Sequence, residues 1–121
     1  MKAIKDTPTS TPDVVTQMEK EWPEMTKEFK RLQKAQYELF LHKQHDYGPG
    51  NISVGTMLQT PEEVKLSLTG LWFRINDKIQ RLKQLVVLGE PDTVGESIND
   101  TFQDLSVYGI IAQIVQQKKF K

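Results

Sequence analysis

The chain has 121 residues, one domain's worth, with 16 Lys+Arg against 16 Asp+Glu and a formal net charge of +0. That balance argues against a nucleic-acid coat or a polybasic membrane anchor, both of which need excess positive charge. The absence of cysteine excludes a disulfide scaffold, a thiolate metal site and a cysteine nucleophile.

Residues 1–11, rich in Thr, Ser and Pro, read as a flexible polar tail and not as a signal peptide, because no apolar run follows Lys2 and Lys5. Thr11 and Pro12 then offer an N-cap and a first-turn proline, which predicts a short helix to about Glu21. Pro23 breaks it and opens a second helix to about Gln44, with Phe29, Leu32, Gln36, Leu39 and Phe40 at helical spacing. Asp46-Tyr47-Gly48-Pro49-Gly50-Asn51 is a strong break, followed by an irregular stretch to Gln59. Thr60-Pro61-Glu62-Glu63 supplies a cap, a first-turn proline and a capping-box acid. It starts a third helix to about Leu88, with a kink expected near Gly70. Gly89 to Asp92 is a tight connection, and a fourth helix is expected from about Thr93 to Lys118. No strand pattern or repeat is visible. The expectation is an all-α fold: a bundle of about four helices over residues 12–121, one domain, with a Gly-rich loop between helices 2 and 3. The longest uncharged apolar stretch, Leu105 to Val115, is too short to span a bilayer, so a cytoplasmic protein with no membrane partner is expected.

Three groups of residues could carry chemistry. Glu96, Asp100 and Asp104 recur every four residues, which on a helix places them within about 80° of one face. Val107, Ile111 and Ile114 continue that sector, while Ile98, Phe102, Leu105 and Ala112 occupy the other side. A helix apolar on both sides is buried on both sides. The acidic stripe therefore points toward an interior or a subunit interface, where carboxylates need partners, and Mg²⁺ is the usual hard cation for oxygen ligands. The bland alternative is a solvated acidic face.

On the third helix Val64, Leu68, Leu71, Ile75, Ile79, Leu82 and Val86 form a core stripe. Arg74, Asp77, Lys78 and Arg81 form a polar one. These four either pair along the helix or hold phosphate oxygens. The loop around His45, Asp46, Tyr47, Gly48 and Asn51 is either a simple helix stop or a mobile backbone with an aromatic face for base stacking. His42 and His45 lack a third ligand for zinc. Trp22 and Trp72 read as core or subunit-interface residues.

The motifs Asp46-Tyr47-Gly48, Gly70-Leu71-x-x-Arg74-Ile75-x-Asp77-Lys78-x-x-Arg81 and Glu96-Ser97-Ile98-x-Asp100-Thr101-x-x-Asp104-Leu105-x-x-Tyr108, in that order, resemble the nucleotide-modification-associated domain family over about residues 40 to 115. That resemblance implies a small, largely helical, phage-type protein working on nucleotides. A looser similarity is to the all-α MazG-type nucleoside triphosphate pyrophosphohydrolases, whose helix-borne acids hold Mg²⁺. Here Glu62-Glu63-Val64-Lys65-Leu66 lacks the third acid of their first motif, and Glu96, Asp100 and Asp104 are spaced by three residues, not two.

Three functions are open at this point. The first is Mg²⁺-dependent hydrolysis of a nucleoside phosphate, with Glu96, Asp100 and Asp104 as metal ligands and catalytic acids. Arg74, Lys78 and Arg81 would then neutralise the phosphates. The second is a non-catalytic binder that sequesters a nucleotide or cyclic signalling nucleotide, an anti-defence role in a host cytoplasm, with His45, Asp46, Tyr47, Gly48, Asn51 and Asp77 completing the pocket. The third is a helical interaction module. Long nucleic acid is not an expected partner. A homo-oligomer is, since a four-helix unit with a doubly apolar helix leaves apolar surface to cover.

Overall fold

A computed structural model describes residues 11–121, and the expected tail over residues 1–11 lies almost wholly outside them. The described residues are helical without a strand. The helices are α1 (Thr11–Glu21), α2 (Pro23–Tyr47), the one-turn α3 (Gly50–Ser53), α4 (Pro61–Leu82) and α5 (Ile98–Gln116). The all-α expectation holds. The chain divides into one unit ending at Glu38 and a second, Leu39–Lys121, with α2 running through the boundary.

Among the described residues of the first unit, none from 13 to 38 is buried. The second unit has a core. Ile52, Leu58, Leu71, Ile111, Val115 and Phe120 are buried together, with Phe40, Val64, Leu68, Val107, Tyr108, Ala112 and Ile114 packed around them. Phe120 meets Phe40 edge to face at 5.9 Å between ring centroids. Ser67, fully buried, donates its hydroxyl to the Ile52 carbonyl at 2.7 Å and ties α3 to α4.

The helix boundaries follow local chemistry. Gly48, at φ +73°, ends α2, its N–H returning to the Gln44 carbonyl at 2.7 Å. Thr60 caps α4 by accepting from the Glu63 N–H at 3.2 Å, while Glu63 accepts from the Gln59 N–H at 2.8 Å. α4 is continuous through Gly70, where a kink was expected. Its continuation over Lys83–Val87 is a π-helical turn, in which the Leu88 N–H reaches the Lys83 carbonyl at 2.9 Å.

One boundary differs in a way that matters for the site. α5 starts at Ile98 and not near Thr93. Asp92 accepts from the Val94 N–H at 3.0 Å, Gly95 turns the chain at φ +83°, and Ser97 caps the helix by accepting from the Asp100 N–H at 3.0 Å. α5 also ends at Gln116, two residues before the expected Lys118. Glu96 therefore precedes the helix, and the three acids do not form one stripe.

Candidate functional site

The inner face of α5 carries Thr101, Asp104, Tyr108, Ile111 and Val115, spaced by three and four residues so that they share one side. Toward the C-terminal end this face is apolar core. Toward the N-terminal end it is polar: Thr101 is fully buried and Asp104 half-buried. The polar part lies against Lys78 and Arg81 of α4, whose side chains are only 21% and 18% exposed.

Lys78 Nζ sits 3.0 Å from Asp104 Oδ2 and 3.7 Å from Glu96 Oε1. Lys43, near the end of α2, approaches the other Asp104 oxygen at 3.8 Å. Arg81 lies 3.6 Å from Asp92 and 3.8 Å from Glu96. It donates to the Thr101 hydroxyl at 3.2 Å and to the Glu96 carbonyl. Three cations thus face three carboxylates. The hydrogen bond that Lys78 donates to Asp104 holds its ammonium above the ordinary pKa against the opposing cost of burial, with the Asp104, Glu96 and Tyr108 charges adding to the rise. Only the Lys78–Asp104 contact is at hydrogen-bond distance. The other carboxylate contacts, at 3.6 Å to 3.8 Å, are looser ion pairs.

The remaining expected site residues lie elsewhere. Asp100 is exposed in the first turn of α5, and Asp77 is exposed on α4; among the described residues neither makes an ion pair. Arg74 pairs with neither Asp77 nor a cluster carboxylate: it donates to the Asn51 carbonyl at 3.1 Å, anchoring α3 to α4. It lines a cavity of about 50 Å³ with Asn51, Ser67 and Gly70. The Asn51 side-chain oxygen is buried with no hydrogen-bond partner. His45 and Asp46 pair with each other at 3.1 Å on the surface, Tyr47 is 68% exposed, and Gly48 is the helix stop. Trp72 is exposed and borders a groove of about 520 Å³ with Val64, Leu68 and Lys65, not a core. Trp22 is exposed as well.

The structure therefore brings together Lys78, Arg81, Glu96 and Asp104 from the expected set and adds Lys43, Asp92, Thr101 and Tyr108. The period of α5 could have found Thr101 and Tyr108. Nothing local marks Lys43 or Asp92, which arrive through tertiary packing.

Mg²⁺ needs several oxygen ligands converging on one point. Among the described residues no three His, Asp or Glu side chains do so. Glu96 and Asp104 face cations, and Asp100 points elsewhere. These residues do not fit a metal centre.

What the arrangement can do is present a half-buried guanidinium and ammonium, both oriented by carboxylates, to an anion with several oxygens. No curated protein and no solved structure matches the chain. Residues 43–115, which contain the whole cluster, match the family described as Nucleotide modification associated domain 1. That stretch is more than half of the 121 residues, and the chain belongs to this family.

Proposed function

We propose that the protein binds a nucleoside phosphate at the α4–α5 cluster and serves nucleotide modification as a binding component without a metal-dependent hydrolytic step. The observation that supports this reading is the pair Lys78 and Arg81. Both are half-buried and fixed in place, yet their carboxylate contacts, Lys78–Asp104 apart, are loose. Phosphate oxygens can replace Glu96 and Asp92 on Arg81 at little electrostatic cost, because one anion takes the place of another. Arginine's planar fork also suits two phosphate oxygens at once. Lys78 remains charged and positioned by Asp104 throughout.

The test is equilibrium binding of a nucleotide panel, triphosphates and cyclic signalling nucleotides included, in Mg²⁺ and in EDTA. Bound material is released by heat and analysed. The reading expects a ligand retained in both conditions and recovered intact, with Arg81→Lys weakening it about tenfold, the loss of one charge-assisted contact. Mg²⁺-dependent product formation that Asp104→Asn abolishes would replace it with the hydrolase reading. No retention across the panel would leave the interaction module.

A further inference from the structure

Between the N-terminal half of α4 and the turn after α5 lies the groove of about 520 Å³, which shares no residue with the α4–α5 cluster. Its size falls among small-ligand sites. Lys65, Leu68, Thr69 and Trp72 stand at i, i+3, i+4 and i+7 on α4, so they share one face over two turns, about 10 Å. Val64 and Leu68 are half-buried and pack against the core, whereas Trp72 beside them is 56% exposed. More than half of a large aromatic residue therefore stands in water next to apolar neighbours, a platform for another ring.

The charge of the groove has one sign. Lys65 and Lys118 line it, and among the described residues no carboxylate does. Neither ammonium has an ion-pair partner among the described residues. Lys118 gives one donor to the Gln59 carbonyl at 3.3 Å and keeps two. Its backbone, at φ +60° with its N–H on the Val115 carbonyl at 2.8 Å, holds it at the end of α5. Thr69 donates its hydroxyl to the Lys65 carbonyl at 2.7 Å, which leaves the oxygen free to accept.

We infer that this groove binds a nucleoside monophosphate, with the base stacked on Trp72 and the phosphate held by Lys65 and Lys118. Charge and shape choose that occupant. A phosphomonoester carries about −1.5 to −2 charge at neutral pH, which matches two ammoniums with no acid between them. A carboxylate would leave one cation unmatched. The base supplies a planar face of the kind that stacks on an indole whatever its sequence of donors and acceptors. Thr69 and Gln116 line the groove too and offer hydrogen bonds to the sugar hydroxyls. The site is separate from the α4–α5 cluster and does not rest on the reading given to it.

The test uses the full chain with Trp22→Phe, which leaves Trp72 as its one tryptophan and makes fluorescence a report on the groove. Adenosine 5′-monophosphate is expected to quench Trp72 saturably in the low millimolar range or below. Adenosine, which lacks the anion, should bind at least tenfold more weakly, as should the nucleotide to Lys65→Glu, a change at an exposed position. The absence of saturable quenching would overturn the inference. So would equal affinity for adenosine, or an unaltered midpoint in Lys65→Glu. Trp72 emission that shifts with protein concentration and not with nucleotide would give the groove to a second copy of the chain instead. Nucleotide retention that depends on Arg81 without any Trp72 quenching would sink the groove and spare the cluster, whereas quenching with retention indifferent to Arg81 would do the reverse.

Discussion

At the scale of the residue, Val54 and Lys78 show what local conformation and environment ask of a side chain. Val54 follows α3 at φ +56° and is 52% exposed. A β-branched residue is strained in the left-handed region, and little burial offsets that strain here. Val54→Gly should raise unfolding stability by about 1 kcal/mol, read from the urea midpoint. An unchanged midpoint would mean that the Val54 side chain contributes more packing than its exposure suggests. Lys78 makes the opposite case, a side chain its surroundings favour. Its pKa is raised by the Asp104 hydrogen bond, so its stabilisation is complete below the ordinary value near 10.5 and is lost as pH rises through the folded value above it. Stability should therefore fall above about pH 10.5. Lys78→Met should remove this residue's share of that fall, as measured by urea unfolding across pH 9 to 12. A wild-type slope retained in the variant would assign the alkaline loss to other groups.

At the scale of the element, most of the fold was legible before any coordinates. Pro23, the Gly48-Pro49-Gly50 break and the Thr60 capping box each act within a few residues, and each boundary they mark stands within about a turn. What local pattern could not give was the start of α5. Thr93 and Ser97 are both acceptable caps. The choice fell to Ser97 because Asp92 and Gly95 hold the preceding residues in a turn. That displacement decided the site. Once Glu96 lies outside the helix, the apparent acid stripe dissolves and only Asp104 of it stays on the inner face. The basic half, Lys78 and Arg81, was legible because its face is set by α4 alone. Lys43 and Asp92 were not, since their place depends on other segments packing nearby. If the cap sets this boundary, Ser97→Ala should cost about 1 kcal/mol of stability. It should also loosen the Glu96 backbone against Arg81, seen as faster amide exchange at Asp100 and Thr101. A variant with wild-type exchange there would mean that packing, not the cap, fixes the start of α5.

At the scale of the molecule, the small core of the second unit is closed by residues at the far end of its chain. After α5, Lys118 takes φ +60° and turns the backbone so that Phe120 is 5% exposed in the core. Phe120 packs across from Phe40, and the flanking lysines hold the turn from outside. Lys118 donates to the Gln59 carbonyl and Lys121 to the Met57 carbonyl, each at 3.3 Å. These exposed hydrogen bonds contribute little individually, whereas the buried ring does much more. Phe120→Ala should therefore cost about 3 to 5 kcal/mol, a large part of what a domain with so few buried apolar side chains has. Phe120→Leu, which refills most of the space, should recover much of the loss, whereas Lys121→Ala should change the urea midpoint little. The order among the three decides the matter. If Lys121→Ala were as damaging as Phe120→Ala, the segment would act through its polar contacts, and the ring against Phe40 would not be what closes the core.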